Sequence, residues 1–289
     1  MARYARVIET AANGQRVDAY VHRFMPELSP DELRAVFAHR DVKLNGKRVR
    51  ADSRVAPGDA LEVFCMPPKR EAIEVVYEDA DILLINKQAG MIVEPDETGS
   101  LCLTELAARH VQRLDPEAAP PRPCHRLDSQ TSGLILYAKH ARAADILDRV
   151  FRERTLEKYY VCLVKGRMKP PAATCRAWLQ KNAELAQVRI SDKPLPGSKP
   201  IVTAYETLEA GDVSRLRVHL VTGRTHQIRA HLASLGHPLI GDDVYGDRSL
   251  NRALHAQGKL LLCACELTLD TQGALPAIDG KRFTIDCPF

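Results

Sequence analysis

Hydrophobic positions near the start of the chain fall into short groups separated by strong turn signals. Ser29-Pro30-Asp31-Glu32 combines a serine N-cap, a proline at the first helical position and a glutamate at the third. It opens a helix on which Leu33, Val36 and Phe37 share one face, ending near Arg40. Val42-Lys43-Leu44 and Lys47-Arg48-Val49 then flank Asn45-Gly46. These two residues tolerate positive φ, so the pattern predicts a type I′ hairpin with basic side chains alternating along it. A turn at Pro57-Gly58-Asp59 leads into the strand Leu61-Glu62-Val63-Phe64.

At Met66-Pro67-Pro68-Lys69-Arg70-Glu71 two prolines interrupt a strand-like run, and a domain boundary is expected there: 1–66, a linker over 67–72, and 73–289. Beyond it the pattern predicts strands at 72–77, 82–85, 134–138, 158–164, 201–207 and 215–221, and helices at 103–114, 141–152 and 225–235. Many strands follow one another without a helix between them. The expected fold is therefore α+β, with a largely antiparallel mixed sheet flanked by helices and loops rather than a doubly wound one. The Gly/Pro-rich stretch from Asp192 to Pro200 reads as a surface loop.

Composition adds little on its own: 45% hydrophobic and 27% charged residues describe an ordinary globular chain of 289 residues. The distribution of charge says more. Residues 1–70 carry 13 Lys/Arg against 9 Asp/Glu, which accounts for the whole net charge of +4, and such asymmetry suggests contact with a polyanion. No apolar run approaches the ~18 residues of a membrane span, and the first ten residues lack the apolar core of a signal peptide, so the expected location is the cytoplasm, away from membranes. Eight cysteines without a C-x-x-C pair read as buried thiols, and none is assigned to catalysis or metal binding.

Two polar stretches could carry chemistry. In His125-Arg126-Leu127-Asp128-Ser129-Gln130-Thr131-Ser132-Gly133, an acid sits on a turn immediately before an apolar strand, positioned by a rigid element yet open to substrate. Asp128 is either catalytic or a cap of its own turn. In Thr222-Gly223-Arg224-Thr225-His226-Gln227-Ile228-Arg229-Ala230-His231, Thr225 reads as the N-cap of a helix. Ile228, Leu232 and Leu235 form its buried stripe, Gly236 is its terminator, and His226 and Arg229 share a face near its positive end. His226 and His231, five apart, do not match the spacing of helical zinc ligands, so no metal site is expected. There is no glycine-rich nucleotide cradle, and no cofactor is expected.

Taken with Val75-Val76-Tyr77-Glu78-Asp79, Asn86-Lys87, Lys158-Tyr159-Tyr160-Val161-Cys162-Leu163-Val164-Lys165-Gly166, Gly241-Asp242-Asp243-Val244-Tyr245 and Arg252-Ala253-Leu254-His255-Ala256, these stretches resemble the RluA-type pseudouridine synthases. Gly14-Gln15-Arg16-Val17-Asp18, the short helix and Asp41-Val42-Lys43-Leu44-Asn45-Gly46-Lys47 resemble an S4-type RNA-binding domain. The resemblance implies that Asp128 is the catalytic aspartate, Tyr160 the tyrosine against the target base, and Arg229 the arginine paired with the aspartate. It also implies that Arg126 fills the gap left by an extruded base.

His125, Thr131, Arg224, His226, Gln227 and Lys87 are candidate RNA contacts in the catalytic part, and Arg34, Arg40, Lys43, Asn45, Lys47 and Arg48 in the N-terminal part. The implied reaction is cofactor-free isomerisation of uridine in structured RNA, large-subunit ribosomal RNA ahead of transfer RNA, by a monomer. Departures from the family pattern are Gln88-Ala89 after Lys87, Glu94-Pro95, and Cys263-Ala264-Cys265-Glu266, where a Phe, Thr, His, Pro-like run is common. Two other readings compete: an inactive RNA-binding protein, and a metal-dependent phosphoesterase built from His226, His231, Asp242 and Asp243.

Overall fold

The computed structural model describes residues 2–25, 28, 30–65, 73–96, 101–182 and 187–289. The chain divides into two compact units, Met1–Ala72 and Ile73–Phe289. The Ser29 cap and the linker at 67–72 lie outside the described residues.

The first unit runs β1 (Ala2–Val7), α1 (Val17–Phe24), α2 (Pro30–Ala38), β2 (Val42–Leu44), β3 (Lys47–Arg48) and β4 (Ala60–Cys65). Its antiparallel sheet has the order β1-β4-β2-β3. The Asn45-Gly46 turn takes φ 51° and 76°, as a type I′ hairpin requires. Strand β1 and helix α1 escape the sequence pattern. The core of α1 is Val17, Tyr20 and Val21, a stripe only two turns long, packed with Val42, Leu44, Leu61 and Val63.

The second unit continues β5 (Glu74–Glu78), β6 (Ile82–Lys87), α3 (Leu103–Leu114), β7 (Arg122–Pro123), β8 (Ser132–Ala138), α4 (Ala141–Glu153), β9 (Leu156–Lys165), β10 (Ala172–Asn182), β11 (Gln187–Ser191), β12 (Lys199–Glu209), β13 (Val213–Leu220), α5 (Gln227–Ser234), α6 (Arg248–Ala253), β14 (Leu262–Leu269) and β15 (Arg282–Thr284). One sheet has the order β11-β10-β12-β13-β9-β14-β8-β6-β5, with β15 added to β14 and β7 to β8. Among the described residues every pairing of this sheet is antiparallel except β14 with β8, a joint two residue pairs long: Cys263 opposite Ser132 and Ala264 opposite Gly133. The sheet is thus mixed and largely antiparallel, the α+β architecture the strand pattern predicts.

Both faces of the central strands are covered, so these strands read as unbroken apolar runs rather than alternations. Ile82, Leu83, Leu84 and Ile85 are all fully buried. Leu83 and Ile85 face a front core with α3, α5, Tyr160 and Leu262, while Ile82 and Leu84 face a back core with Ala143, Leu147 and Val150 of α4. Each such side chain contributes roughly 1.5–3 kcal/mol by leaving water. Gly133 is required at the joint: its φ is 117°, and a Cβ there would lie 2.3 Å from the Ala264 carbonyl oxygen.

Helix α5 starts later than its pattern predicts. Thr225 is not its N-cap; His226 holds that place in the left-handed conformation, with φ 53° and no capping side chain. Leu235 is 42% exposed and leaves the stripe formed by Ile228 and Leu232, while Gly236, at φ 86°, takes the left-handed conformation expected of it.

Candidate active site

A cavity of about 260 Å³ opens on the front face of the second unit, where the loop before β8 meets β9, β14 and the start of α5. Asp128, Tyr160, Arg229, Arg126, His125, Thr131, Arg224, His226 and Gln227 all line it. Two segments about 100 residues apart therefore converge on one hollow.

Asp128 lies in a turn closed by the Thr131 N–H donating to its carbonyl oxygen at 3.0 Å. The carboxylate points elsewhere: Oδ2 accepts from Arg229 Nη1 at 3.0 Å, with Asp128 23% and Arg229 10% exposed. Arg229 is held in turn by Asp242, which is completely buried. Nε donates to Asp242 Oδ2 at 2.7 Å and Nη2 to Oδ1 at 3.0 Å, a bidentate fork that fixes the guanidinium plane. Asp242 Oδ1 also accepts the N–H groups of Val244 and Tyr245. Burial alone would lower the Arg229 pKa, but its two carboxylate partners outweigh it and raise it. Burial likewise pushes Asp242 up, and Arg229 overcomes it, so this carboxyl sits below the ordinary range.

His226 bridges the cavity to Tyr245. The Tyr245 hydroxyl accepts the Val188 N–H at 2.9 Å and lies 3.0 Å from His226 Nδ1, so its own proton is directed to Nδ1. That partner set assigns the His226 proton to Nε2, which faces Asp128 Oδ2 at 3.8 Å. Burial lowers the His226 pKa, with Asp128 opposing, and the ring is neutral near pH 7.

Tyr160 is 5% exposed, and burial, followed by the Asp128 charge, raises its phenol pKa, so the phenol keeps its proton. Leu262 and Ile228 complete the apolar part of the lining, while exposed Arg126 and Arg224 supply cations, joined by Lys158. Burial, then Arg154, brings Lys158 down to about 8. An apolar floor with a carboxylate, beneath a cationic rim, suits a flat uncharged ring attached to phosphates.

Several candidate contacts are engaged internally. Lys87 is fully buried beneath the Asp128 turn and donates to the carbonyls of Gln88, Met91 and Ser129 at 3.0, 2.8 and 2.8 Å, so it braces the loop rather than reaching outward. Gln227 is 2% exposed; it accepts from the Thr222 hydroxyl and the Arg224 N–H and donates to Val202 O and Thr203 Oγ1. His125 Nε2 accepts the Leu136 N–H, its ring stacks on Phe151, and burial followed by Lys158 pushes its pKa down to about 3. Thr131 is buried.

In the first unit, Asn45 ties its turn to Asp59 and Ala60, and the Lys43 ammonium lies over the Phe64 ring. Arg34, Arg40, Lys47 and Arg48 are exposed. The four residues of the phosphoesterase reading diverge: His231 meets Thr203, Asp243 accepts from the Gly258 N–H, Asp242 holds Arg229 and His226 faces Tyr245.

Residue-type reasoning missed the parts played by Asp242, Tyr245 and Lys158. A signal existed for Lys158: it stands two residues before Tyr160, on the same side of β9.

Comparison with known proteins gives a consistent result. Residues 81–234 match the family model described as RNA pseudouridylate synthase. The uncharacterized RNA pseudouridine synthase YhcT of Bacillus subtilis (strain 168) is 36% identical over 234 residues, 76% of each chain. Ribosomal large subunit pseudouridine synthase C of Vibrio vulnificus (strain CMCP6) is 32% identical over 273 residues, covering 88% of this chain and 84% of that one. Among solved structures, human RNA pseudouridylate synthase domain containing 4 superposes with a TM-score of 0.61 at 22% identity, over 74% of this chain and 88% of that one, a likeness of fold.

Proposed function

Since the chain belongs to the RNA pseudouridylate synthase family and is an RNA pseudouridine synthase, an isomerase, we propose that it converts uridines of large-subunit ribosomal RNA to pseudouridine, with Asp128 as the acting carboxylate. The observation that carries this reading is the Asp128–Arg229 pair inside a cavity shared with Tyr160.

The cavity falls below the roughly 300–1,000 Å³ of pockets for drug-sized ligands, a scale suited to one base. A stacked uridine cannot reach it and must be extruded, at a cost of a few kcal/mol that contacts elsewhere offset. Arg126 fills the gap left behind, and Arg224 and Lys158, which also line the cavity, meet the flanking phosphates. The exposed cations Arg34, Arg40, Lys47 and Arg48 of the first unit, read as an S4-like RNA-binding domain, supply further phosphate affinity.

The reaction breaks the C1′–N1 bond, turns the uracil and joins C5 to C1′, with no net redox change. Asp128 either attacks C1′ or removes the C2′ proton. Arg229 holds one carboxylate oxygen, which leaves the other for the sugar. Tyr160 packs against the detached uracil, and its protonated hydroxyl is suited to hydrogen-bonding the ring as it turns.

The large-subunit assignment draws on the relative that bears that name and on the S4-like reading of the first unit. The test is pseudouridine mapping by carbodiimide adduct and primer extension, on unmodified ribosomal and transfer RNA incubated with the wild type and with Asp128→Asn. Stops in large-subunit RNA that vanish with the variant are expected. Stops confined to transfer RNA would overturn the substrate assignment, and stops that persist with Asp128→Asn would overturn the role of the aspartate.

A further inference from the structure

Three thiols come together behind the strands that carry the cavity. Cys263 and Cys265 of β14 pack with Val161 in a small cluster on the sheet face away from Tyr160, and Ile285, Cys287 and Phe289 of the C-terminal tail lie against it. Cys263 is opposite Val161, and the next pair in register is Ala264 opposite Tyr160. The cluster therefore backs the same strand pair whose front side lines the cavity.

The fold brings Cys287 to this place by a defined route. Strand β15 pairs antiparallel with β14, Thr284 opposite Glu266, and the Ile285 N–H donates to the Cys265 carbonyl at 3.0 Å. Glu266 Oε2 accepts from both Arg282 and Arg217, anchoring the start of the tail. In-plane pairing cannot continue, because β8 occupies that side of β14 at Cys263. The tail instead crosses the face, and Cys287 packs against the cluster that holds Cys263 and Cys265. The two strand thiols are buried, Cys287 is part-exposed, and Cys265 donates weakly to the Tyr159 carbonyl at 3.5 Å.

We propose that Cys287 is an oxidation site whose product is an intramolecular disulfide to Cys263 or Cys265, locking the C-terminal tail onto the back of β14. The oxidant is a peroxide. Cys287 sulfur attacks one peroxide oxygen, giving a sulfenic acid and one water; a strand thiol then attacks that sulfur and releases the second water. Two thiols and one hydrogen peroxide become one disulfide and two waters, and a dithiol reductant reverses the change. The part-exposed thiol meets the oxidant, and the buried pair resolves it before further oxidation.

The test uses the full reduced chain, titrated with hydrogen peroxide, alkylated and mapped as peptides without reduction. A Cys287 cross-link to the β14 peptide is expected, with the free-thiol count falling by two from eight. Cys263→Ala and Cys265→Ala should each still form it, while the double variant and Cys287→Ser should not. Because the wild-type map needs no variant, folding defects cannot mask the answer. Cys287 ending as sulfinic acid without a cross-link, or linked only between molecules, would overturn the proposal. The oxidised wild type should also melt at a higher temperature than the reduced form, since the bond closes a loop of roughly two dozen residues; an unchanged melting point would remove the locking role.

Discussion

Asp242 takes two of the three nitrogen atoms of Arg229, at 2.7 and 3.0 Å, and leaves only Nη1 for Asp128. The carboxylate that binds more of the arginine is the one completely shielded from solvent, and the one that meets the cavity receives a single bond. Arg229 thus acts as a strut between a buried anchor and the part-exposed carboxylate that meets the cavity.

Removing the anchor charge with Asp242→Asn leaves a buried guanidinium short of its main partner. Urea unfolding should show a loss of about 3–5 kcal/mol. If folding is retained, turnover should fall by about 100-fold with little change in RNA affinity, because Asp128 loses its orientation. Equal activity in the variant would show that the anchor does not position Asp128.

Acid should unfold the second unit in a way that Asp242 and His125 shape together. The folded Asp242 pKa is depressed, so its contribution is present above its unfolded pKa and is lost as pH falls through the folded value. The folded His125 pKa is about 3 against 6.5 for the free side chain, so stability declines as pH drops from 6.5 towards 3, where the unfolded chain binds the extra proton. His125→Gln should flatten the stability profile between those limits, measured by urea midpoints at stepped pH.

Lys87→Met removes the donor shared by three carbonyls. Leaving buried acceptors unsatisfied costs about 1–3 kcal/mol each, so a clear drop in thermal midpoint is expected, together with weakened catalysis as the Asp128 turn loses its brace. A midpoint within error of wild type would mean that water replaces the ammonium.

Gly133→Ala places a methyl group against the Ala264 carbonyl in a backbone conformation that alanine resists. The expected loss exceeds about 2 kcal/mol, a cost beyond ordinary substitutions. Denaturant midpoints with unchanged slope would check it.

Replacing Lys47 and Arg48 with alanine should weaken RNA binding about equally for all sequences and reduce the slope of log affinity against log salt by about two. An unchanged slope would place the phosphate contacts elsewhere.

The sequence pattern locates α3 over Leu103–Leu114, because a clean amphipathic stripe depends on local order alone. It misplaces the start of α5, since the left-handed His226 is set by Tyr245 and Asp128, which only tertiary structure brings near. Lys87 and Gln227 mislead for a related reason. Polar side chains suggest contact with solvent or RNA until the buried carbonyls and amides around them are known. Asp242 was visible as a residue, but its hold on Arg229 has no local signature.

The two-pair joint between β8 and β14 also divides the chain in time. Strands β5 to β8, with Asp128 in the loop before β8, are complete by residue 138, whereas Tyr160, Arg229 and β14 all come afterwards. Ser132 and Cys263 close a span of 131 residues, and loops that long are slow to close relative to local hairpins. During synthesis the half-sheet next to Asp128 therefore waits, without Arg229, until the last long strand arrives. A newborn chain has Asp128 early and the rest of the cavity lining late, so the pocket is completed only when nearly all of the chain has been made.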